Sequence, residues 1–185
     1  MRITAEDSIL IVVDFQEKLV PHIFNGYAVA EKTAKLIKGI KALGVPVIAT
    51  QQYTKGLGYS IPIIAEAMGA ESPEEMEFIE KSSFSCFDCE EFKTKLDGYG
   101  RSNVIICGVE GHVCVSQTIV DLKAAGYSPV AVLDCISSRK EQDFLTAVKR
   151  YEYENAVLTC FESILFELCR FSGNEKFKAI SALVK

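Results

Sequence analysis

The stretch Asn103–Leu122 reads NVIICGVEGHVCVSQTIVDL. It begins with a short apolar run, Val104–Cys107, which Gly108 follows directly. From Val115 onward the apolar residues have the spacing of one face of a helix. We therefore predict a strand, a tight connection and a helix, with Cys114 in the first turn of that helix. Because a helix N-terminus favours negative charge, we expect the thiol to have a stabilised thiolate, which is its nucleophilic form.

Further apolar, β-branched runs predict the rest of a sheet: Ile9–Val13, Val45–Thr50, Pro129–Leu133 and Ala156–Thr159. Each run is short and almost continuously apolar, as in strands that are buried on both faces of a parallel sheet. Amphipathic segments between and after them predict helices over Ala28–Leu43, Val115–Ala125, Glu141–Tyr153 and Lys176–Leu183. The alternation predicts one α/β domain over residues 1–185. We expect a three-layer, doubly wound, Rossmann-like fold with a mostly parallel central sheet of five to six strands.

Composition and charge exclude several classes of protein. The chain has 185 residues, a net charge of −5 and no long basic run, which argues against nucleic acid or an anionic membrane as a partner. It has no apolar stretch of membrane-spanning length, and its start, MRITAEDSIL, does not resemble a signal peptide. The seven cysteines are an odd number, which favours reduced thiols. We therefore expect a cytoplasmic protein.

Polar residues follow the predicted strands, where binding sites form in open parallel sheets. Asp14 follows the first strand, Gln52 the second and Asp134 the fourth. A carboxylate at the end of a buried strand is costly unless it is paired, although Asp14 could instead cap a turn or helix. Lys81, in EKSSFSCF, is either a surface lysine or a cation that holds a carboxylate and lowers the pKa of the Cys114 thiol.

Three separated segments resemble the Asp–Lys–Cys triad of the isochorismatase-like cysteine hydrolase superfamily. They are IVVDFQ with Asp14, EKSSFSCF with Lys81 and CGVEGHVCV with Cys114. TQQYTKGLG and LDCISSR make the chain most similar to the isochorismatase domain-containing proteins. The resemblance implies that Cys114 is the nucleophile, that Asp14 accepts and returns its proton, and that Lys81 favours the charged forms. It also implies a cis peptide bond between Val109 and Glu110, and an oxyanion hole formed by the N–H groups of Glu110 and Cys114.

The sequence departs from the metal-binding members of that superfamily, the nicotinamidases. Gln52 and Thr54 stand where those enzymes have an aspartate and a histidine ligand, so we expect no metal, and we expect no other cofactor. The glutamate side chain at position 110 could narrow the pocket or repel anionic substrates. The predicted lining of the substrate pocket is Phe15, Gln52, Tyr53, Phe84 and His112.

The predicted function is a metal-independent cysteine hydrolase that cleaves a small amide-like C–N bond of a small molecule through a thioester. Superfamily members that hydrolyse isochorismate lack the cysteine, so Cys114 argues against that substrate. The alternative is a catalytically weak binding or regulatory protein that retains the fold. A dinucleotide-dependent enzyme is disfavoured because no G-x-G-x-x-G follows the first strand. The resemblance also implies a homo-oligomer, a dimer or larger.

Overall fold

A single parallel sheet forms the centre of the molecule. The computed structural model describes residues 2–185. The strands are β1 (Ser8–Val13), β2 (Val47–Gln52), β3 (Ile79–Lys81), β4 (Asn103–Gly108), β5 (Ser128–Ile136) and β6 (Val157–Thr159). Their order in the sheet is β3-β2-β1-β4-β5-β6, and every neighbouring pair is parallel. The predicted α/β, doubly wound fold is confirmed, and the winding reverses between β1 and β4.

Helices cover both faces of this sheet. They are α1 (Gly26–Ala42), α2 (Thr54–Leu57), α3 (Pro62–Met68), α4 (Glu90–Tyr99), α5 (Ser116–Ala124), α6 (Glu141–Tyr153), α7 (Phe161–Cys169) and α8 (Phe177–Leu183). Short 3₁₀ turns lie at Val20–His22, Pro73–Glu75 and Cys86–Asp88, and a π-helical turn at Gly111–Val115. Within residues 2–185, none of these helices has the length and apolar character needed to cross a bilayer.

The side chains of β1 explain why the sheet is covered on both faces. Leu10 and Val12 pack in the core layer that α1, α3, α7 and α8 form on one face. Ile9 and Ile11 pack in the layer that α4, α5 and α6 form on the other. Because successive side chains of a strand point to opposite faces, an all-apolar strand can be satisfied only between two layers.

Some elements differ from the sequence prediction. β3 was not predicted, because it has only three residues and two of them, Glu80 and Lys81, are charged. The helices α2, α3, α4 and α7 were not predicted either. Cys114 lies in the π-helical turn that precedes α5, not in the first turn of an α-helix. The predicted bounds of Glu141–Tyr153 agree with those of α6.

Candidate active site

Asp14 lies at the carboxyl edge of the sheet, directly after β1, and its side chain is fully buried. Its φ of 51° places it in the left-handed region, which is uncommon for a residue other than glycine. Oδ1 accepts a hydrogen bond from Thr50 Oγ1 at 2.7 Å, and Oδ2 accepts one from Lys81 Nζ at 2.7 Å. Both oxygens of this buried carboxylate are therefore partnered, which offsets the cost of its desolvation.

Lys81 is the last residue of β3, and its side chain is fully buried. Its ammonium donates to Asp14 and also to Gln52 Oε1 at 2.8 Å. The carbonyl oxygens of Ser83 and Phe84 lie 3.2 Å and 3.1 Å from Nζ. The cation is therefore surrounded by acceptors from this chain, and its geometry with Asp14 is fixed. The structure places the predicted cation and carboxylate together.

Cys114 lies in the π-helical turn, where it is 7% exposed. Its carbonyl oxygen accepts a hydrogen bond from Thr118 Oγ1 in α5 at 2.7 Å. Burial, followed by the charge of the Asp14 carboxylate, raises the pKa of the Cys114 thiol to about 12, although Lys81 acts in the opposite direction. The resting thiol is therefore protonated. This differs from the stabilised thiolate that the sequence predicted, because the helix-terminus argument took no account of burial and of the carboxylate.

The charges of Asp14 and Lys81 also reach a second thiol. Burial, then Asp14, raises the pKa of Cys86 to about 11, and its Sγ lies 3.8 Å from Thr50 Oγ1. Burial alone lowers the pKa of Lys81, but Asp14 together with the thiols at positions 86 and 114 outweighs it, so the net pKa is raised. Lys81 is therefore charged at neutral pH, and the carboxylate beside it has a permanent partner.

The connection between β4 and Cys114 contains a cis peptide bond between Val109 and Glu110. The carbonyl oxygen of Glu110 accepts hydrogen bonds from the N–H groups of Val113 at 3.1 Å and Val115 at 3.2 Å. Within residues 2–185, its own N–H donates to no other group. The oxyanion hole formed by the Glu110 and Cys114 N–H groups stays a prediction.

The side chain of Glu110 is buried, and its charge is paired. Oε2 accepts hydrogen bonds from the backbone N–H of Arg139 at 3.0 Å and from the Arg139 Nε at 2.9 Å. The carboxylate is therefore neutralised by a neighbour, and it does not present an unpaired negative charge to a substrate. The arginine belongs to the segment LDCISSR, but no spacing rule links it to position 110, so no sequence pattern indicates this contact.

The positions that hold metal ligands in nicotinamidases are engaged in hydrogen bonds. Gln52 uses Oε1 to accept from Lys81 and Nε2 to donate to Ser82 O at 2.8 Å. Thr54 Oγ1 donates to Gln51 Oε1 at 3.2 Å. In the described part of the chain, no three His, Cys, Asp or Glu side chains cluster as metal ligands would. These residues do not fit the metal site of nicotinamidases.

The other predicted pocket residues occupy different environments. Tyr53 is 57% exposed and Phe84 is 55% exposed, next to the Lys81 end of the site. His112 is half-buried, and its buried Nδ1 has no hydrogen-bond partner within residues 2–185. Phe15 is fully buried in the core layer that includes α1, and its role in the pocket wall stays a prediction.

Thr50 and Tyr151 support the site and were not predicted, although strand register could have indicated Thr50. Thr50 pairs in register with Val13, so strand register alone brings it next to Asp14. Tyr151, in α6, donates its hydroxyl to Gly111 O at 2.6 Å and depends on a tertiary contact between distant segments.

Comparison with known proteins places the chain in a family. The sequence model of the Isochorismatase domain matches residues 8–163. The chain belongs to the isochorismatase family. It is 33% identical to isochorismatase domain-containing protein 2A of Mus musculus, over 100% of this chain and 85% of that protein. It is 34% identical to the secreted isochorismatase effector Isc1 of Phytophthora sojae (strain P6497), over 100% of this chain and 87% of the effector.

A solved structure agrees with the isochorismatase assignment. The structure of MAR1 ribonuclease from Caenorhabditis elegans superposes with a TM-score of 0.90 at 34% sequence identity, covering 100% of this chain and 92% of that one. The predicted superfamily is therefore confirmed. The relatives carry names that refer to different activities and settings, so the family alone does not identify a substrate.

Proposed function

We propose that this isochorismatase-family protein is a metal-independent cysteine hydrolase that cleaves a small amide-like C–N bond through a thioester on Cys114. The observation that carries the proposal is the fully buried Asp14–Lys81 ion pair beside a buried thiol, at the carboxyl edge of the sheet. A buried pair of this kind is weak evidence for stability, because apolar residues would often serve as well. Because the Asp14–Lys81 pair lies next to the Cys114 nucleophile, we infer that it takes part in the reaction.

Acylation begins with a proton transfer. Since the resting thiol is protonated, Asp14 removes its proton as Sγ attacks the carbonyl carbon of the substrate. The carbonyl electrons move to the oxygen, which the N–H groups of Glu110 and Cys114 stabilise. When the tetrahedral intermediate collapses, the C–N bond breaks, and the leaving amine takes the proton from Asp14. The product of this half-reaction is the thioester.

Deacylation uses the same groups in reverse. Asp14, again a carboxylate, removes a proton from water while the water oxygen attacks the thioester carbon. Collapse of the second intermediate breaks the C–S bond and releases the carboxylic acid, and Asp14 returns the proton to the sulfur. Lys81 keeps Asp14 in position throughout, through its 2.7 Å contact. The low exposure of Cys114 supports a small substrate, because a bulky acyl group could not reach Sγ.

The test is a screen for ammonia or amine release from small amides, ureides and nitrogen-heterocycle carboxamides. Cys114→Ala should abolish release, and mass spectrometry of the quenched wild type should detect an acyl group on the Cys114 peptide. Cys86→Ala is the matched control, since it removes the neighbouring thiol and leaves the nucleophile. Release that survives in the Cys114 variant would overturn the proposal. Elemental analysis tests the metal claim, and a stoichiometric zinc or iron would contradict it.

A second candidate follows from the Caenorhabditis elegans neighbour, which is named a ribonuclease. The net charge of −5 and the lack of a basic run disfavour phosphate-rich ligands here. Incubation of the same preparation with an RNA oligonucleotide, with Cys114→Ala beside it, distinguishes the two activities. If neither amides nor RNA are turned over, the chain is a binding protein that retains the fold. We further propose a homo-oligomer in the cytoplasm, which sedimentation and cell fractionation test.

A further inference from the structure

The backbone of Glu110–His112, which carries the proposed oxyanion donor, is fastened to the loop that follows β5. The N–H of Gly111 donates to Ser137 O at 2.7 Å. The N–H of His112 donates to Ser138 Oγ at 3.2 Å. Within residues 2–185, the Glu110 N–H donates to none of these groups. The polar groups around it are used to hold the segment, while this donor stays available.

Tyr151 also holds the Glu110–His112 segment, through a further hydrogen bond. Its side chain is fully buried in α6, and its hydroxyl donates to Gly111 O at 2.6 Å. The fit is close, because a Cβ added to Gly111 would lie 3.0 Å from Ile136 Cγ2, 3.2 Å from Ser138 Oγ and 3.3 Å from the tyrosine hydroxyl. The phenol therefore holds the Gly111–His112 peptide, two peptides after the one that carries the oxyanion donor, and it contacts a carbonyl oxygen and not the nucleophile.

Arg139 fastens the residue that bears the donor. Its backbone N–H and its Nε both donate to Glu110 Oε2, at 3.0 Å and 2.9 Å. The glutamate side chain is 11% exposed, whereas that of the arginine is 62% exposed. The contact therefore joins a buried acceptor to a surface residue, and the surface residue can be changed without opening the core.

We infer that Tyr151 and Arg139 are positioning residues that hold the Glu110 peptide in the orientation needed to stabilise an oxyanion. The inference rests on the proposed acyl-transfer function. Oxyanion stabilisation depends on donors that are already oriented before the charge develops, so loosening the Glu110 peptide should slow only steps that form an oxyanion. Neither residue would touch the substrate.

The experiment compares two reactions of Cys114 in the intact protein. With p-nitrophenyl acetate, Sγ bonds to the carbonyl carbon, Asp14 takes the thiol proton and p-nitrophenolate leaves, and this passes through an oxyanion. With iodoacetamide, the thiol gives up its proton to base in the solvent and Sγ displaces iodide from a saturated carbon, and no oxyanion forms. Mass spectrometry of the Cys114 peptide gives both rates, and Cys114→Ala gives the background from the other thiols.

Tyr151→Phe, which keeps the buried ring, should lower the acylation rate about tenfold, a part of the loss expected for removing an oxyanion donor, and leave alkylation unchanged. Arg139→Ala should shift the same ratio in the same direction by about threefold, since the backbone N–H contact remains. Tyr127→Phe is the matched control: it removes a hydroxyl that bonds to Asp97, away from this segment, and should change neither rate.

The outcomes separate the inference from the proposed function. If wild-type Cys114 is alkylated but never acylated, the acyl-transfer proposal fails, and the inference fails with it. If the wild type is acylated and Tyr151→Phe slows both reactions in parallel, the tyrosine has only a structural role and the inference alone is overturned. Unchanged rates in both Tyr151→Phe and Arg139→Ala would overturn it equally, whatever the melting temperatures of the variants.

Discussion

Two aspartates near the carboxyl edge of the sheet each form an ion pair with a lysine, and the two pairs differ in burial. In the Asp14–Lys81 pair the N–O distance is 2.7 Å and both side chains are fully buried. In the Asp134–Lys32 pair the distance is 3.3 Å, and the side chains are 28% and 41% exposed. The second oxygen of Asp134 accepts from the N–H of Phe161, where α7 begins. The same residue types thus anchor a helix in one place and hold a charge beside a thiol in the other.

The difference in burial changes how each ion pair contributes to stability. An exposed pair contributes about 0–1 kcal/mol to stability, because water already solvates both charges. A buried pair has to recover a large desolvation cost, and breaking it by removing one partner typically costs about 3–5 kcal/mol. Asp134–Lys32 is therefore a surface and capping contact. In Asp14–Lys81 the fold retains a charge pair that two well-packed apolar residues could often replace without a loss of stability, although removing one partner alone is costly.

Neutralising each aspartate is the strongest test of this comparison. Asp14→Asn removes the proposed base for the thiol proton, so kcat should fall by about 10²–10⁴, the usual range for loss of general acid–base catalysis. Asp134→Asn should leave kcat within about twofold, because neither its charge nor its hydrogen bond reaches Cys114. The measurement is amine release, or p-nitrophenol release from p-nitrophenyl acetate. Equal losses in the two variants would show that the aspartates are not functionally distinct.

Removing each lysine compares the pairs in stability. Lys81→Met leaves the Asp14 charge buried and unpaired, and should lower the free energy of unfolding by about 3–5 kcal/mol in urea titrations. Lys32→Met, the matched change at the surface, should lower it by no more than about 1 kcal/mol. Adding Asp14→Asn to Lys81→Met should recover part of the loss. If the two lysine variants lose the same amount, burial does not separate the pairs.

The pH dependence of stability provides an internal check on the lysine variants. The pKa of Lys81 is raised in the folded protein, so its contribution is complete below the ordinary lysine pKa and is lost as the pH rises through the raised value. The wild type should therefore lose stability at strongly alkaline pH, and Lys81→Met should lack this part of the loss.

The fold was largely predictable because the long strands are apolar on both faces. Ser8–Val13 and Asn103–Gly108 have buried neighbours on each side, and hydrophobicity is the signal that sequence patterns carry. β3 could not be found this way, since its pairing with β2 through Thr50 and Ile79 is a tertiary contact between distant segments. Lys81 was therefore identified by family resemblance, whereas the strand that carries it was not predicted.

The sequence was sufficient to identify residues of the candidate site, but not to predict their charges and pKa values. Motif order brought together Asp14 and Lys81, and the structure gives them a direct contact. The raised pKa of Cys114 was missed, because a helix terminus can be read from sequence whereas burial beside a carboxylate cannot. The partner of Glu110 was missed for a related reason, since Arg139 approaches it from the loop after another strand.

The pH profile of Cys114 alkylation compares the two ion pairs by their effect on the nucleophile. The Asp14 carboxylate contributes to the raised pKa of Cys114, so Asp14→Asn should lower that pKa below about 12 and speed reaction with iodoacetamide at pH 9–10. The same variant should turn over substrate about 10²–10⁴ times more slowly. Lys81→Met should shift the alkylation profile to higher pH, and Asp134→Asn should not move it. Peptide-resolved mass spectrometry separates Cys114 from Cys86, whose pKa responds to the same charges.

The smallest expected effect belongs to the stability of Asp134→Asn. The amide keeps an oxygen for the N–H of Phe161 and loses only the charge that Lys32 meets at 3.3 Å, so the free energy of unfolding should fall by less than about 1 kcal/mol. Asp134→Ala removes the acceptor as well, and should cost about 1 kcal/mol more, the usual value of a lost helix cap. Urea titration of the pair separates charge from capping. A loss of several kcal/mol in Asp134→Asn would mean that the partly exposed Asp134–Lys32 pair depends on its charge as strongly as the buried Asp14–Lys81 pair does. Burial would then not explain the difference between the two pairs.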